Sequence, residues 1–197
     1  PGGNIKLTAV GTGANAAGSP TVELLDGGRI STAGLWVNAL LTPGIGGTQS
    51  AFPHLIDGGS VVLASDFGLN LAHGSVIDVS GGASRSPAGV ITAGKGGSIQ
   101  LVGGATVSGV FNGQLSLGAT LRGYSAGVGG KLDITAAKIL IGAAAPDAQT
   151  LSVAPDQFQS GGFSSYKLTG FYNTTLADGV DINPGADSFV IDPSRAF

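Results

Sequence analysis

Residues 60–80 decide the fold, and they read Ser-Val-Val-Leu-Ala-Ser-Asp-Phe-Gly-Leu-Asn-Leu-Ala-His-Gly-Ser-Val-Ile-Asp-Val-Ser. Apolar and polar residues alternate within three short runs, and this period of two is typical of strands with one buried face. Gly74 separates the second run from the third, where the chain must turn tightly. A unit of about twenty residues cannot bury its own apolar face, but stacked copies of it can.

The same pattern recurs along the whole chain. A Gly-Gly pair precedes an alternating strand at Gly2-Gly3, Gly58-Gly59, Gly96-Gly97, Gly129-Gly130 and, more loosely, Gly161-Gly162. A second motif, Leu-x-x-Gly-x-x-Ile/Leu, follows each pair: Leu24/Gly27/Ile30, Leu71/Gly74/Ile77, Leu115/Gly118/Leu121, the degraded Ile139/Gly142/Ala145, and Leu176/Gly179/Ile182. This strict alternation of two motifs predicts a solenoid of stacked repeats.

We therefore predict an all-β fold, a right-handed parallel β-helix of about five coils, since parallel crossovers are right-handed by default. Residues 1–197 form one such segment, with insertions at about 35–57 and 81–95. Both insertions lie between one coil and the next, so we expect them to emerge at the same corner and pack together. A short helix is expected at Pro155–Gln159, and an antiparallel β-sandwich or barrel is the alternative architecture.

The composition excludes several classes of protein. Of 197 residues, 36 are Gly, 9 are Lys or Arg and 12 are Asp or Glu, which leaves a net charge of -3. Nine scattered basic residues form no stripe for nucleic acid, and aliphatic-rich, charge-poor chains are not disordered. The chain lacks cysteine, which excludes disulfide scaffolds and cysteine-zinc sites.

The sequence contains no candidate membrane span. Polar residues and glycines interrupt every apolar stretch before it reaches the ~18 residues that a membrane span needs. The absence of methionine predicts that the chain is a piece of a longer protein.

The repeats resemble those of the large secreted exoproteins of the filamentous-haemagglutinin type, which Gram-negative bacteria export by two-partner secretion. The resemblance lies in the Gly-Gly-x-Ile/Val-x-Leu starts, in residues 74–83 (Gly-Ser-Val-Ile-Asp-Val-Ser-Gly-Gly-Ala), and in residues 94–99 (Gly-Lys-Gly-Gly-Ser-Ile). It implies a right-handed β-helical shaft, an outer-membrane transporter as partner during unfolded secretion, and adhesion. Nothing like the family's N-terminal secretion domain is found, so an internal shaft segment is expected.

Two near-matches to catalytic or binding motifs favour a structural interpretation. Gly89-x-x-x-x-Gly94-Lys95 resembles a phosphate-binding loop, but Gly96 replaces the required Ser/Thr and a strand follows instead of a helix. His54 and His73 are the only histidines, and neither has the neighbours that a metal site or a nucleophile-base pair needs. We predict no catalytic residue, no cofactor and no metal site.

Acid-base chemistry is the second hypothesis, because polysaccharide lyases and hydrolases also use β-helices. Glycosidases need two carboxylates across a groove, and the candidates are Asp57, Asp66, Asp78, Asp133 and Asp181. Asp78, Arg122 and Asn183 occupy equivalent repeat positions, so we expect them to lie on one face in register. A ladder of solvated outward residues predicts the same arrangement without catalysis.

The remaining candidates are surface-binding residues. Trp36, with Phe52 and His54 in the same insertion, is a candidate platform for a sugar or a host receptor, and Tyr172 is a weaker one. A satellite core under the insertion is the competing interpretation of Trp36. The sequence thus predicts a non-enzymatic shaft segment at the bacterial surface or secreted; the alternative is a fragment of a carbohydrate-active β-helix protein.

Overall fold

The computed structural model describes residues 2–11, 20–38, 55–107, 110–185 and 189. Within these residues the protein is all-β, with one short 3-10 helix at Pro155–Phe158, close to the expected position. The strands are β1 Asn4–Ala9, β2 Thr21–Leu24, β3 Arg29–Ser31, β4 Trp36–Asn38, β5 Ser60–Ser65, β6 Gly68–Leu71, β7 Val76–Asp78, β8 Ala83–Arg85, β9 Ile91–Ala93, β10 Ser98–Gly103, β11 Ala105–Val107, β12 Val110–Asn112, β13 Gln114–Leu117, β14 Thr120–Arg122, β15 Gly130–Ile141, β16 Thr150–Val153 and β17 Phe163–Leu176.

The largest sheet, here called sheet A, is entirely parallel. Its order is β1-β5-β10-β15, and β15 pairs with both β16 and β17. Each of the five Gly-Gly motifs precedes or opens one of its strands β1, β5, β10, β15 and β17. The pairing follows the motifs residue by residue, so that Ile5, Val61, Ile99 and Leu132 form one ladder.

Two smaller parallel sheets complete three of the repeats among the described residues. Sheet B has the order β13-β6-β2 and sheet C the order β14-β7-β3. The chain visits sheets A, B and C in the same order three times, as β1-β2-β3, β5-β6-β7 and β10-β13-β14. These stacked parallel sheets are compatible with a β-helix. The described residues contain five Gly-Gly strands in sheet A but three strands in each of sheets B and C.

The insertions pack as expected where they are described. In the first insertion, β4 pairs in parallel with β8 of the second, and β8 pairs in antiparallel fashion with β9. Residues 39–54 of the first insertion lie outside the described residues. The antiparallel β11–β12 hairpin is a third insertion, which the repeat pattern did not predict.

Aliphatic side chains fill the space between the sheets. The fully buried ones include Val61, Leu63, Leu69, Leu71, Ile77, Ile99, Leu101, Leu121, Ile134 and Ile139. Burial of each such side chain contributes about 1.5–3 kcal/mol. Because neighbouring repeats place aliphatic residues at the same register, the core continues through the stack.

In the pairs Gly58-Gly59 and Gly96-Gly97, glycine is required by close backbone contacts with the ends of sheet C strands and with the neighbouring Gly-Gly pair. The Gly59 N–H donates to Thr32 O and the Gly97 N–H to Val79 O, both at 2.7 Å. A Cβ on Gly97 would overlap the carbonyl oxygen of Gly59. The corner glycine Gly74 has a different role, since its φ is +85°, which disfavours any other residue.

The predicted second motif is wrong in its third copy. Leu117, rather than Leu115, pairs with Leu71, while Leu115 pairs with Leu69. The corner after β13 is therefore two residues shorter than the corner after β6, and Gly118 is not among the positive-φ glycines. A glycine is needed there because a Cβ would lie 2.7 Å from the backbone nitrogen of His73.

Among the described residues, no helix has the length and apolar character to cross a membrane.

Candidate functional site

A cleft of about 450 Å³ lies on the outer side of sheet C and the corner that follows it. It is lined by Ala33, Gly34, Trp36, Asp78, Ser80, Gly81, Arg122, Tyr124 and Phe189. The register of sheet C brings two of these residues together, because Asp78 on β7 and Arg122 on β14 are direct partners, and Ser31 on β3 is the partner of Asp78 on its other side. The expected alignment of Asp78 with Arg122 is thus confirmed.

The outward residues Ser31, Asp78 and Arg122 of sheet C form one row across the strands. Because side chains alternate along an extended chain, the residues two positions later form a second row beside it. Ala33, Ser80 and Tyr124 each follow the sheet C row by two residues. Ala33 and Ser80 are small, whereas Tyr124 and Trp36 are large, so the middle of this surface is concave. Bonds from the Gly34 N–H to Ser80 O and from the Gly81 N–H to Tyr124 O, at 2.8 and 2.7 Å, fix the backbone under it.

The carboxylate of Asp78 is buried in the wall of the cleft and is fully engaged. Its residue is 8% exposed. One oxygen accepts a hydrogen bond from the Arg29 guanidinium at 3.2 Å, and the other accepts from the Ser80 N–H at 3.1 Å. These bonds give Asp78 a structural role, holding β3, β7 and the following corner together.

Arg122 supplies the uncompensated positive charge of the cleft. Among the ion pairs of the described residues, Asp78 pairs with Arg29, while Arg122 takes part in none. Its side chain is partly buried beside Tyr124. A guanidinium in this position is a donor for a carboxylate or another anionic group.

Three aromatic rings meet in the cleft. The Phe189 ring centroid lies 5.9 Å from that of Trp36 at an interplanar angle of 68°, and 5.4 Å from that of Tyr124 at 37°. The Phe189 N–H also donates to Ser125 O at 3.3 Å. Ser125 is held in turn, because its hydroxyl donates to Gly94 O at 2.6 Å and accepts from the Gly127 N–H at 2.7 Å.

Two of the predicted surface-binding residues are described, and of these Trp36 lines this cleft and Tyr172 does not. Phe52 and His54 lie outside the described residues. Tyr172 is on β17, where its hydroxyl accepts from the Phe111 N–H at 3.1 Å and donates to Phe111 O at 3.3 Å. Tyr172 thus secures the β11–β12 hairpin to β17. His73 is exposed beside its corner, as expected.

The candidate acids are dispersed, and most have structural partners. Asp57 accepts from the Lys95 N–H at 2.8 Å, and Asp66 accepts from the Gly11 N–H at 2.9 Å. Asp133 on sheet A lies 3.4 Å from Lys167. Asp78 and Asp133 are therefore on different sheets. Asn183 and Asp181 lie in no strand, so Asn183 does not join the Asp78 ladder.

The bond from Lys95 also accounts for the sequence that resembles a phosphate loop. A carboxylate of the same chain occupies the Lys95 N–H, and strand β10 begins three residues later. Residues 94–97 therefore lead into strand β10 and do not form a phosphate-binding loop.

Sequence reasoning missed Tyr124 and Phe189. Tyr124 could have been predicted, because it follows Arg122 by two residues and side chains two positions apart in an extended chain lie on the same face. Phe189 carried no signal, since the last residues of the chain contain no repeat motif.

Two ionisable groups outside the cleft have shifted pKa values. The pKa of Asp147 is lowered, mainly by the hydrogen bond from Lys138 and secondly by the hydrogen bond from Thr150. Burial raises the pKa of Tyr166, whose hydroxyl donates to Phe158 O at 3.2 Å. Both groups lie near the β15–β17 end of the stack, where they support the local loops.

A second, slightly smaller groove of about 410 Å³ follows the outer face of sheet B. Its lining includes Glu23, Asn70 and Ser116, which are register partners on β2, β6 and β13. In the part of the chain that the structure describes, no three His, Asp or Glu side chains are grouped to hold a metal ion.

No family model, curated protein or solved structure matches this chain.

Proposed function

We propose that the chain forms a right-handed parallel β-helix of about five coils and serves as a non-enzymatic shaft segment of a bacterial exoprotein. In this proposal the exoprotein is of the filamentous-haemagglutinin type, is secreted or held at the cell surface, and supports adhesion. The observation that carries it is the register of sheets A, B and C, which is continuous over three passages of the chain.

A shaft must resist bending, and the stack has the features for it. Parallel ladders connect successive repeats on three sides, and inward aliphatic residues at matching register fill the interior. Leu63 and Leu101, for example, are register partners and are fully buried. Displacing one repeat by a single residue would turn its apolar residues outward, so the register is strongly specified.

Both ends of the stack suit continuation. Among the described residues, β1 pairs only with β5, and β17 pairs only with β15. Leu7 lies over the buried Leu63 and is 45% exposed. An exposed strand edge above an open apolar interior is a template for another strand. A further coil would bury this surface in the same register.

The secretion route adds a partner and a location. An outer-membrane transporter would pass the chain in an extended form, and a chain without cysteine cannot be trapped by disulfides on the way. At the cell surface, the insertions around Trp36 and residues 81–95 would contact a host receptor or carbohydrate.

The second candidate is a carbohydrate-active β-helix protein. The positions of the acids favour the shaft over it, since Asp78 bonds Arg29 and Asp133 pairs with Lys167 on another sheet. Incubation with oligosaccharides compares the wild type with the Asp78→Asn/Asp133→Asn double variant. If the wild type cleaves the oligosaccharides and the double variant does not, the result would favour the carbohydrate-active enzyme and contradict the shaft function.

Self-association tests the shaft directly. We expect the mass of the wild type in sedimentation to increase with concentration, because open ends stack in register. Leu7→Lys places a charge in the open interior and should keep the chain monomeric, with an unchanged far-UV spectrum. Leu25→Lys is the matched control, since Leu25 is 64% exposed at a corner without a register partner. A wild type that stays monomeric at all concentrations would contradict open-ended stacking.

Secretion is tested separately. The chain is fused behind a secretion domain of the family and expressed with its transporter. Arrival at the cell surface, detected by added protease, supports the proposed location. Retention in the periplasm argues against it.

A further inference from the structure

We propose that the cleft between Trp36 and Tyr124 is a binding site for an extended peptide with an aromatic side chain, and that Phe189 of the same chain occupies it. This inference does not depend on the shaft function, because it rests only on the cleft.

The ring geometry is that of a bound aromatic side chain. Phe189 contacts Trp36 on one side and Tyr124 on the other, with centroids 5.9 and 5.4 Å away. Both distances fall within the range of favourable aromatic pairs, and both angles avoid the face-to-face sandwich. Phe189 stays 39% exposed. The ring is therefore held at an open surface, where another aromatic residue can replace it.

The cleft also offers a main-chain acceptor at a fixed place. Ser125 O accepts a hydrogen bond from the Phe189 N–H at 3.3 Å. Ser125 itself is buried, and its hydroxyl is fixed by hydrogen bonds with Gly94 and Gly127. Extended peptides are recognised by this combination, in which backbone hydrogen bonds hold the ligand and a pocket selects a side chain.

The charge of the cleft indicates which kind of peptide it would bind. Arg29 neutralises Asp78, so Arg122 gives the cleft a positive character among the described residues. A carboxylate near the aromatic residue of the ligand would bond this guanidinium. The preferred ligand is thus a segment with an aromatic and an acidic residue close together. Residues 184–193 of this chain, Pro-Gly-Ala-Asp-Ser-Phe-Val-Ile-Asp-Pro, have that composition.

Trp36 provides the first test, because it is the only tryptophan of the chain. In the full-length Phe189→Ala variant, we expect its emission to shift to the red and acrylamide quenching to increase. Phe171→Ala is the matched control, since Phe171 is a partly exposed aromatic residue that stacks on Phe111 instead. Unchanged Trp36 emission in Phe189→Ala would overturn the occupancy by Phe189.

The second test measures binding of a synthetic peptide, residues 184–193, to the full-length protein by the same emission. The Phe189→Ala protein should bind it, and the wild type should bind more weakly because its own segment competes. The same peptide carrying the Phe189→Ala change should bind about 2- to 10-fold more weakly. Arg122→Gln in the Phe189→Ala protein should also lower the affinity.

Two outcomes would overturn the assignment. One is equal binding of the two peptides, because the aromatic ring would then not be recognised. The other is displacement of the peptide by a neutral oligosaccharide with higher affinity, which would make the cleft a sugar site. Circular dichroism of each variant checks that the protein stays folded.

Discussion

Asp78 and Arg122 are register partners on adjacent strands, yet the carboxylate of Asp78 bonds Arg29, on the strand at its other side, at 3.2 Å. The second oxygen of Asp78 accepts a hydrogen bond from the Ser80 N–H at 3.1 Å. Asp78 thus acts as a structural anchor. Among the ion pairs of the described residues none involves Arg122, so its positive charge is not neutralised by Asp78.

The anchor leads to an asymmetric prediction. Asp78→Ala should lower the free energy of unfolding by about 1–3 kcal/mol, because it leaves a buried N–H without its acceptor. Arg29→Ala should cost about 1 kcal/mol or less, since its side chain is mostly exposed. Urea unfolding of both variants and of the double variant measures the coupling. A larger loss for Arg29→Ala would contradict the anchor role of Asp78.

The Gly-Gly pairs give a matched comparison. Gly97→Ala should destabilise the protein by about 1–3 kcal/mol, because its Cβ overlaps the backbone of Gly59. Gly3→Ala should stay within about 0.5 kcal/mol, since a Cβ there has no neighbour within 4 Å. Thermal unfolding of the two variants is the measurement. Equal effects would show that the close approach between coils does not explain the motif.

The core ladder predicts the effect of a cavity. Leu63→Ala should lower the free energy of unfolding by about 2–5 kcal/mol, because Leu63 is fully buried in the middle of the stack. Leu25→Ala, at an exposed corner, is the control and should have little effect. Chemical denaturation of both variants distinguishes a continuous core from a loosely packed one, in which the two losses would be similar.

Asp147 predicts a pH dependence. Its hydrogen bonds with Lys138 and Thr150 lower its pKa below 3.8 in the folded protein. The stabilisation is therefore complete above the ordinary carboxyl pKa and is lost as the pH falls through the lowered value. The wild type should melt at a higher temperature than Asp147→Asn at neutral pH, and the gap should close in strong acid. Asp178→Asn, in an exposed turn, serves as the control. A gap that persists in acid would exclude ionisation as its cause.

Tyr172 predicts a local effect on the hairpin. Tyr172→Phe removes the hydroxyl that bonds the backbone of Phe111 in both directions. We expect a loss of about 0.5–1.5 kcal/mol and faster hydrogen exchange at the Phe111 amide. Exchange at Ile99, in the buried part of sheet A, should not change. If the Phe111 amide exchanges as before, the hairpin is held by other contacts.

Several features of the fold were predictable from residues that are close in sequence. The Gly-Gly pairs and the alternation in Ile99-Gln100-Leu101 gave the strands of sheet A in register. The corner after β13 was not predictable, because Leu115 fits the spacing of the motif and Leu117, which directly precedes Gly118, does not. Only pairing with β6 selects Leu117 as the partner of Leu71.

The candidate site was predictable only in its pieces. Trp36 was identified as an exposed aromatic residue, and Asp78 and Arg122 as members of one ladder, but nothing local connected the two groups. The pairing of β4 with β8 brings Trp36 to the Asp78 side of the stack. The contact of Tyr172 with Phe111 was likewise not predictable, because the β11–β12 hairpin is an insertion that leaves no mark on the repeat pattern.

By itself, the sequence determined the repeat and the register of sheet A, because a shift by one residue would expose the aliphatic ladder and bury polar side chains. It also determined where glycine must stand, since backbones that touch leave no room for a Cβ. Only the tertiary structure decided which outward residues meet. Outward positions carry no requirement for burial, so their contacts, such as that of Phe189 with Trp36, depend on how distant segments pack against the finished stack.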